Sequence, residues 1–158
     1  MTIEEYFEAL ASEHKLVQHS DAEPHFASSM DEAATLEARR LHYPAIFCDG
    51  GDFQVNGTPD NYHIGDDYRL AVVTHVQDSG NELEKSEAFK TTRRILLDII
   101  GRMVRDKRKG VPPMVRFDAA GIQAIRVENV DAGLYGWLLL MNLTERLSTL
   151  NCNDNLDS

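Results

Sequence analysis

The sequence predicts an α+β fold: an antiparallel or mixed β-sheet packed against one long α-helix, with short helices at the N-terminus. Residues 81–109 repeat apolar side chains at helical spacing, whereas residues 68–76 and 134–144 have the patterns of buried strands. No parallel crossover unit separates these patterns. Because 42% of the 158 residues are hydrophobic, we expect residues 1–150 to form one domain, followed by a disordered tail at 151–158.

Two capping boxes predict short helices ahead of the sheet. Thr2 and Glu5 open the first helix, which should end near residue 14 and dock through its apolar side chains Tyr6, Phe7 and Leu10. Ser29 and Glu32 open the second, which should run to about residue 41. Between them, we expect a short strand at 15–19 and a turn at 21–24.

Three antiparallel strands should follow, at 45–48, 53–55 and 68–76. The glycines and aspartates of residues 49–52 predict a turn between the first two, and residues 57–61 predict the next turn. Beyond the helix, we expect extended chain at 114–117 and a strand at 122–130. A tight turn at 131–133 should then lead into the most apolar strand, 134–144.

The long helix has a predicted core face and a predicted basic face. The core face comprises Leu83, Ala88, Phe89, Thr92, Ile95, Leu96, Ile99, Ile100 and Met103. The basic face comprises Lys90, Arg94, Arg105 and Arg108. Glutamates crowd the first turns and basic residues the last, which complements the helix dipole. Gly110, with Pro112 and Pro113, ends the helix.

The last strand is apolar on both faces. One face carries Leu134, Leu138 and Leu140, and the other carries Tyr135, Trp137, Leu139, Met141 and Leu143. A sheet with one helical layer buries only one face, so the second must meet another layer of this chain or another copy. Trp137 and Tyr135 could also stack a ligand, although aromatic residues among leucines more often belong to a core.

The charge and cysteine content exclude several classes. A net charge of -10 and a pI near 4.9 argue against a general nucleic-acid binder. Residues 1–87 hold 18 acids and 5 bases, whereas residues 88–158 hold 8 acids and 11 bases, an asymmetry that could serve head-to-tail contacts or simply be solvated. Cys48 and Cys152 predict neither a disulfide framework nor a zinc site. Without a leader or a membrane-spanning stretch, we expect a cytosolic protein.

Reactive residues give no catalytic, cofactor or metal site by pattern. Asp60, His63, Asp66 and Asp67 form the only local cluster with metal-like composition, and the alternative is a polar loop whose side chains cap turns. The glycines near residue 50 lack the lysine and hydroxyl residue of a phosphate loop, and no nucleophile elbow is present. We therefore expect no cofactor and no enzymatic activity.

The order of elements resembles the small tail-completion proteins of tailed bacteriophages, namely the tail terminators and head-to-tail joining proteins of the neck. The resemblance covers residues 42–145: the strand 68–76, the long helix, and the closing strand with its Gly-Leu-Tyr-Gly-Trp-Leu-Leu run at 133–139. It implies a noncatalytic ring in the virion, typically a hexamer, assembled in the host cytoplasm. Its partners would be other neck and tail proteins, with no membrane involved, and DNA would pass through the lumen without specific binding.

A ring needs an interface, for which the sequence offers two sets of candidates. They are the basic helix residues Lys90, Arg94, Arg105 and Arg108, and the strand residues Tyr135, Trp137, Leu139 and Met141. Gly101 lies between the bases, and close approach of another backbone is one reason to keep glycine within a helix. Two other classes remain open: a ligand-binding domain or enzyme with a cleft between sheet and helix, and a nonviral protein-binding adaptor.

Overall fold

The computed structural model describes residues 1–28 and 40–146, and within these ranges the predicted α+β fold is confirmed. Its elements in chain order are α1 (Ile3–Glu13), β1 (Phe26–Ala27), β2 (Ala45–Thr58), β3 (Asn61–His75), α2 (Glu82–Arg108), a 3-10 turn (Met114–Arg116), β4 (Gln123–Asn129) and β5 (Leu134–Arg146). The strands form one sheet in the order β1-β2-β3-β5-β4. Among the described strands, β1 and β2 are parallel and the other neighbouring pairs are antiparallel.

The first helix forms as its capping box predicts. The Glu5 backbone N–H donates to the Thr2 hydroxyl at 3.1 Å, and the Thr2 N–H donates to the Glu5 carboxylate at 2.7 Å. Its apolar side, which includes Tyr6, Phe7 and Leu10, is buried. The helix predicted from Ser29 to about residue 41 lies largely outside the described residues, and the tail predicted at 151–158 lies wholly outside them.

The strand predicted at 15–19 is wrong, because this segment turns directly after α1. The backbone N–H groups of Val17 and Gln18 both donate to the His14 carbonyl, and Gln18 has a φ of 57°. Neither geometry belongs to a strand. The strand of this region comes later, as the two-residue β1 beside β2.

The predicted turn at 49–52 is also wrong, because β2 runs through it. The pairing with β3 shifts between Gly50 and Phe53, which marks a β-bulge or irregularity instead of a reversal. Glycines fit a bulge as readily as a turn, so local composition could not separate the two. The next predicted turn is confirmed: Gly57 has a φ of 111°, and Thr58 pairs with Asn61.

Helix α2 packs on one face of the sheet and builds the main core. Ile95, Leu96, Ile99 and Met103 are buried there, as predicted, in one cluster with apolar residues of α1 and the central strands. Leu83 is 74% exposed and does not belong to this face. It precedes Lys90 by seven residues, which is nearly two helical turns, and therefore shares the basic side.

The opposite face of the sheet is covered over β2 and β3 and more open toward β4. Phe47, Ala71 and Val73 are buried among Leu41 and Tyr43 of the same chain. Near the edge strand β4, the side chains of Ile125, Leu138 and Leu140 are half-buried or exposed. The predicted cover on the second face is thus supplied partly by the chain itself.

Beyond α2, the prediction for residues 114–117 is wrong, whereas the predicted β4–β5 hairpin is confirmed. Residues 114–117 were expected to extend, but Met114–Arg116 form a 3-10 turn that buries Met114 and Phe117. The strands β4 and β5 and the turn between them match the expectation. Gly133 has a φ of 66° in that turn, a conformation that favours glycine.

We expect the buried Cys48 thiol to make the fold labile to alkali. Burial, followed by the nearby carboxylates of Glu4 and Asp49, raises the pKa of Cys48 from 9.0 to about 12. Because the thiol ionises less readily in the folded protein than in the unfolded chain, its protonated form favours folding, and this contribution is fully present below pH 9. The contribution is lost as the pH rises from 9 toward 12. Between pH 8 and 10.5, the loss from this group should be about 2 kcal/mol.

Urea unfolding at the two pH values would measure this loss. A Cys48→Ala variant should lose about 2 kcal/mol less than the wild-type protein over the same interval. Equal losses in both proteins would show that Cys48 does not cause the lability. Burial also raises the pKa of Tyr6, helped by its hydrogen bond to Asp106, so a residual decline shared by both proteins should begin above pH 10.

Candidate oligomer interface

The basic side of α2 faces solvent, as predicted. Lys90, Arg94, Arg105 and Arg108 are all exposed and lie within about 40° of one line along the helix. Lys90 pairs with Glu87 at 3.3 Å. The three arginines make no ion pair with any residue in the described ranges. Their charges are therefore available to a partner.

The same line of the helix carries an apolar centre that sequence reasoning overlooked. Leu97 is 53% exposed and lies between Arg94 and Gly101 on the helix surface. A Cβ built on Gly101 would meet nothing within 4 Å, so no contact in this part of the chain requires glycine there. We call the surface formed by Lys90, Arg94, Leu97, Gly101, Arg105 and Arg108 the outer helix face.

The four candidate residues of β5 belong to the core of the subunit and therefore do not form part of the candidate interface. Tyr135 and Leu139 are fully buried, Met141 is 5% exposed, and Trp137 is half-buried. The Trp137 indole Nε1–H donates to the Phe89 carbonyl of α2 at 3.0 Å. This side of β5 faces α2, and a strand alternation alone does not reveal which of two apolar faces a helix will cover.

The structure reveals a second exposed apolar surface, on the outer half of the β2–β3 hairpin. We call residues 51–66 the hairpin arm. Phe53 is 67% exposed, Val55 53% and Tyr62 42%. The pairs Phe53↔Asp66, Val55↔Ile64 and Gly57↔Tyr62 place these three side chains on one face of the arm. Their alternating positions are visible in the sequence. The turn predicted at 49–52, however, separated Phe53 and Val55 from the strand to which they belong.

The arm is acidic where the helix is basic. Residues 51–66 contain three aspartates and no lysine or arginine, whereas residues 88–109 contain eight bases and two aspartates. Asp66 pairs with Arg116 at 2.5 Å. Asp52 and Asp60 form no ion pair with a described residue. The arm and the outer helix face are thus oppositely charged, and each has an apolar centre.

The metal-like cluster at 60–67 does not converge. Asp66 and Asp67 are consecutive in β3 and therefore project to opposite sides of the sheet. Asp66 contacts Arg116, whereas Asp67 accepts a hydrogen bond from the Asn142 side chain at 2.8 Å. Across residues 1–28 and 40–146, no group of three potential ligands could hold a metal ion.

The cleft between sheet and helix that the ligand-binding alternative requires is filled by the core side chains of α2 and the central strands. A groove of about 960 Å³ lies instead across the sheet near the bulge. Its polar lining includes Asp49, Asp52, Asp67, Arg69 and Asp118. Arg69 donates to Asp49 at 2.8 Å, which neutralises one carboxylate of the groove.

The function must be inferred from the surfaces of the subunit, because comparison with known proteins supplies no relative to guide it. No model of a known protein family matches the chain, and no curated protein matches it. None of the helices in the described ranges combines the length and apolar character needed to cross a membrane. The candidate interface therefore consists of the outer helix face and the hairpin arm.

Proposed function

We propose that this protein is a structural subunit of a tailed-phage virion that forms a ring at the neck or the top of the tail and joins tail to head. The observation that carries the proposal is the pair of oppositely charged, unlike surfaces on one subunit. The order of elements, with a long helix between a hairpin and a closing β4–β5 hairpin, agrees with the resemblance to tail-completion proteins.

Unlike surfaces favour a head-to-tail contact. A two-fold contact centred on either surface would place that surface against its own copy and bring like charges together. A heterologous contact joins different patches, and it closes into a ring when the rotation between neighbours permits. A hexamer is the ring size implied by the family resemblance.

A net charge of -10 suits a ring through which DNA must slide. Phosphate groups are held by basic side chains, and a lumen lined by carboxylates would deny them such contacts. In this proposal, the arginines of α2 bind neighbouring subunits or other neck and tail proteins, and do not face the DNA.

The polar groove favours one alternative, a ligand-binding domain or enzyme. Asp52, Asp67 and Asp118 line it beside the Asp49–Arg69 pair, an arrangement that would suit a cationic ligand. An adaptor that binds one protein partner through the outer helix face is the other alternative. Portal, major tail or sheath genes beside this gene would favour the ring over both.

Reversing charge on the outer helix face should weaken assembly. We expect wild-type protein to grow from monomer toward a closed oligomer as concentration rises, measured by light scattering coupled to size exclusion. Each exposed ion pair contributes only about 0–1 kcal/mol, so the double variant Arg94→Glu with Arg105→Glu is needed. Its assembly should be weaker than wild type, with a difference that shrinks at high salt.

Lys15→Glu with Arg40→Glu is the matched control, because it makes the same charge change at two exposed residues that do not belong to α2. This control should assemble like wild type, and circular dichroism should show both variants folded. If the α2 variant also assembles normally, the arginines are only solvated. A wild-type protein that stays monomeric in solution and in the particle would refute the ring itself.

A further inference from the structure

We propose that the hairpin arm of one copy binds the outer helix face of the next copy, and that this is the repeating contact of the ring. The proposal rests on the proposed ring function and assigns its two surfaces. Phe53, Val55 and Tyr62 would pack around Leu97 and Gly101 of the neighbour.

The apolar face of the arm is largely exposed to solvent. The arm's three exposed apolar side chains share one face, and among the described residues the pairing of β3 with β5 runs no further toward the tip than His63↔Arg146. A two-stranded ribbon is at most marginally stable in water unless a hydrophobic face is covered. A contact with another surface would supply that cover.

The occupant is identified by charge and shape on the same chain. Asp60 at the tip of the arm is unpaired among the described residues, as are Arg94 and Arg105 beside Leu97, whereas Asp52 lines the polar groove on the other side of the sheet. Gly101 leaves a flat site in the middle of that surface, with open space where a side chain would be. An acidic, aromatic arm fits a basic helix that has an apolar, flat centre.

The contact must be made between copies. Phe53 pairs across the hairpin with Asp66, which bonds to Arg116 on the α2 side of the sheet, so the arm presents its apolar face on that side. The outer helix face, however, points away from the sheet, since the opposite side of α2 is buried against it. The arm of the same subunit would have to cross its own helix to reach that face. A neighbouring copy has no such obstacle.

Two variants, each lacking one surface, test the assignment. Phe53→Ser with Tyr62→Ser removes the arm surface, and Arg94→Glu with Arg105→Glu removes the helix surface. Each variant alone should assemble at least about tenfold more weakly than wild type in sedimentation or light scattering. An equimolar mixture should form a heterodimer and stop there, because each variant keeps one of the two complementary surfaces.

Val111→Ser with Val130→Ser is the matched control for the arm variant, since these exposed valines lie outside both surfaces. This control should assemble like wild type, and thermal melting by circular dichroism should show that all variants fold. Normal assembly of the arm variant, or a mixture that yields no heterodimer, would overturn the assignment while the ring proposal stands. A monomeric wild-type protein would instead refute the proposed function.

A charge exchange tests the same contact by gain of binding. Asp60→Lys reverses the charge at the tip of the arm, which should then bind the Arg94→Glu, Arg105→Glu helix more tightly than the wild-type helix. Mixing these two variants should restore association in a salt-dependent way. If the variant arm binds both helices equally, charge does not select the partner and the assignment is wrong.

Discussion

Replacing Gly136 by alanine is expected to destabilise the fold by about 3 kcal/mol or more. Gly136 lies in β5, paired with Val73 on one side and Val127 on the other. A Cβ there would lie 2.0 Å from the Val72 carbonyl oxygen and 2.8 Å from the Val73 Cα. These are backbone atoms of a central strand, so relief requires shifting the β3–β5 pairing. Urea unfolding of wild type and variant would measure the cost.

Gly101→Ala is the matched control and should have the opposite sign. Nothing lies within 4 Å of a Cβ at this position, and it is in the interior of α2. Alanine should therefore stabilise the isolated subunit by about 0.5–1 kcal/mol. If Gly136→Ala is as well tolerated as Gly101→Ala, β3 and β5 do not approach each other this closely at Gly136.

Removing the Asp106 carboxylate should cost about 2–4 kcal/mol, the second large effect. Asp106 is a buried acid of α2 and accepts a hydrogen bond from the Tyr6 hydroxyl of α1 at 2.8 Å. Arg102 Nε donates to both of its oxygens, at 3.0 and 3.1 Å, and Arg102 also pairs with Glu13. Asp106→Ala leaves the Tyr6 hydroxyl without this acceptor in a buried site. Thermal or urea unfolding would show the loss.

Asp98→Ala is the matched control on the same helix. Asp98 is exposed and pairs with His14 at 3.1 Å, so its removal should cost no more than about 1 kcal/mol. Tyr6→Phe should cost less than Asp106→Ala, because Asp106 keeps its bonds from Arg102. Similar losses for Asp98→Ala and Asp106→Ala would show that the buried network adds nothing beyond an exposed side-chain contact.

Periodicity and capping in the sequence determined most of the elements. The capping box at Thr2, the apolar repeat of α2 and the apolar run of β5 each act through neighbours a few residues apart. Such local interactions are written directly in the order of residues, so the α+β class and the exposure of the basic side of α2 could be predicted. The prediction that placed Leu83 on the core face was wrong, although the sequence held the answer: its spacing from Lys90 puts it on the basic side of the helix.

Only the tertiary structure decided which apolar surfaces are core and which are free. Tyr135 and Trp137 could have faced a partner, but the pairing of β5 with β3 directs them at α2 and Phe89. Gly50 fits a turn or a bulge equally well, and its pairing with Tyr68 made β2 continuous and created the arm. Burial and strand pairing join residues far apart in the chain, so local patterns carry no record of them. The exposure of Phe53 is therefore a property of the fold, whereas its apolar side chain is a property of the sequence.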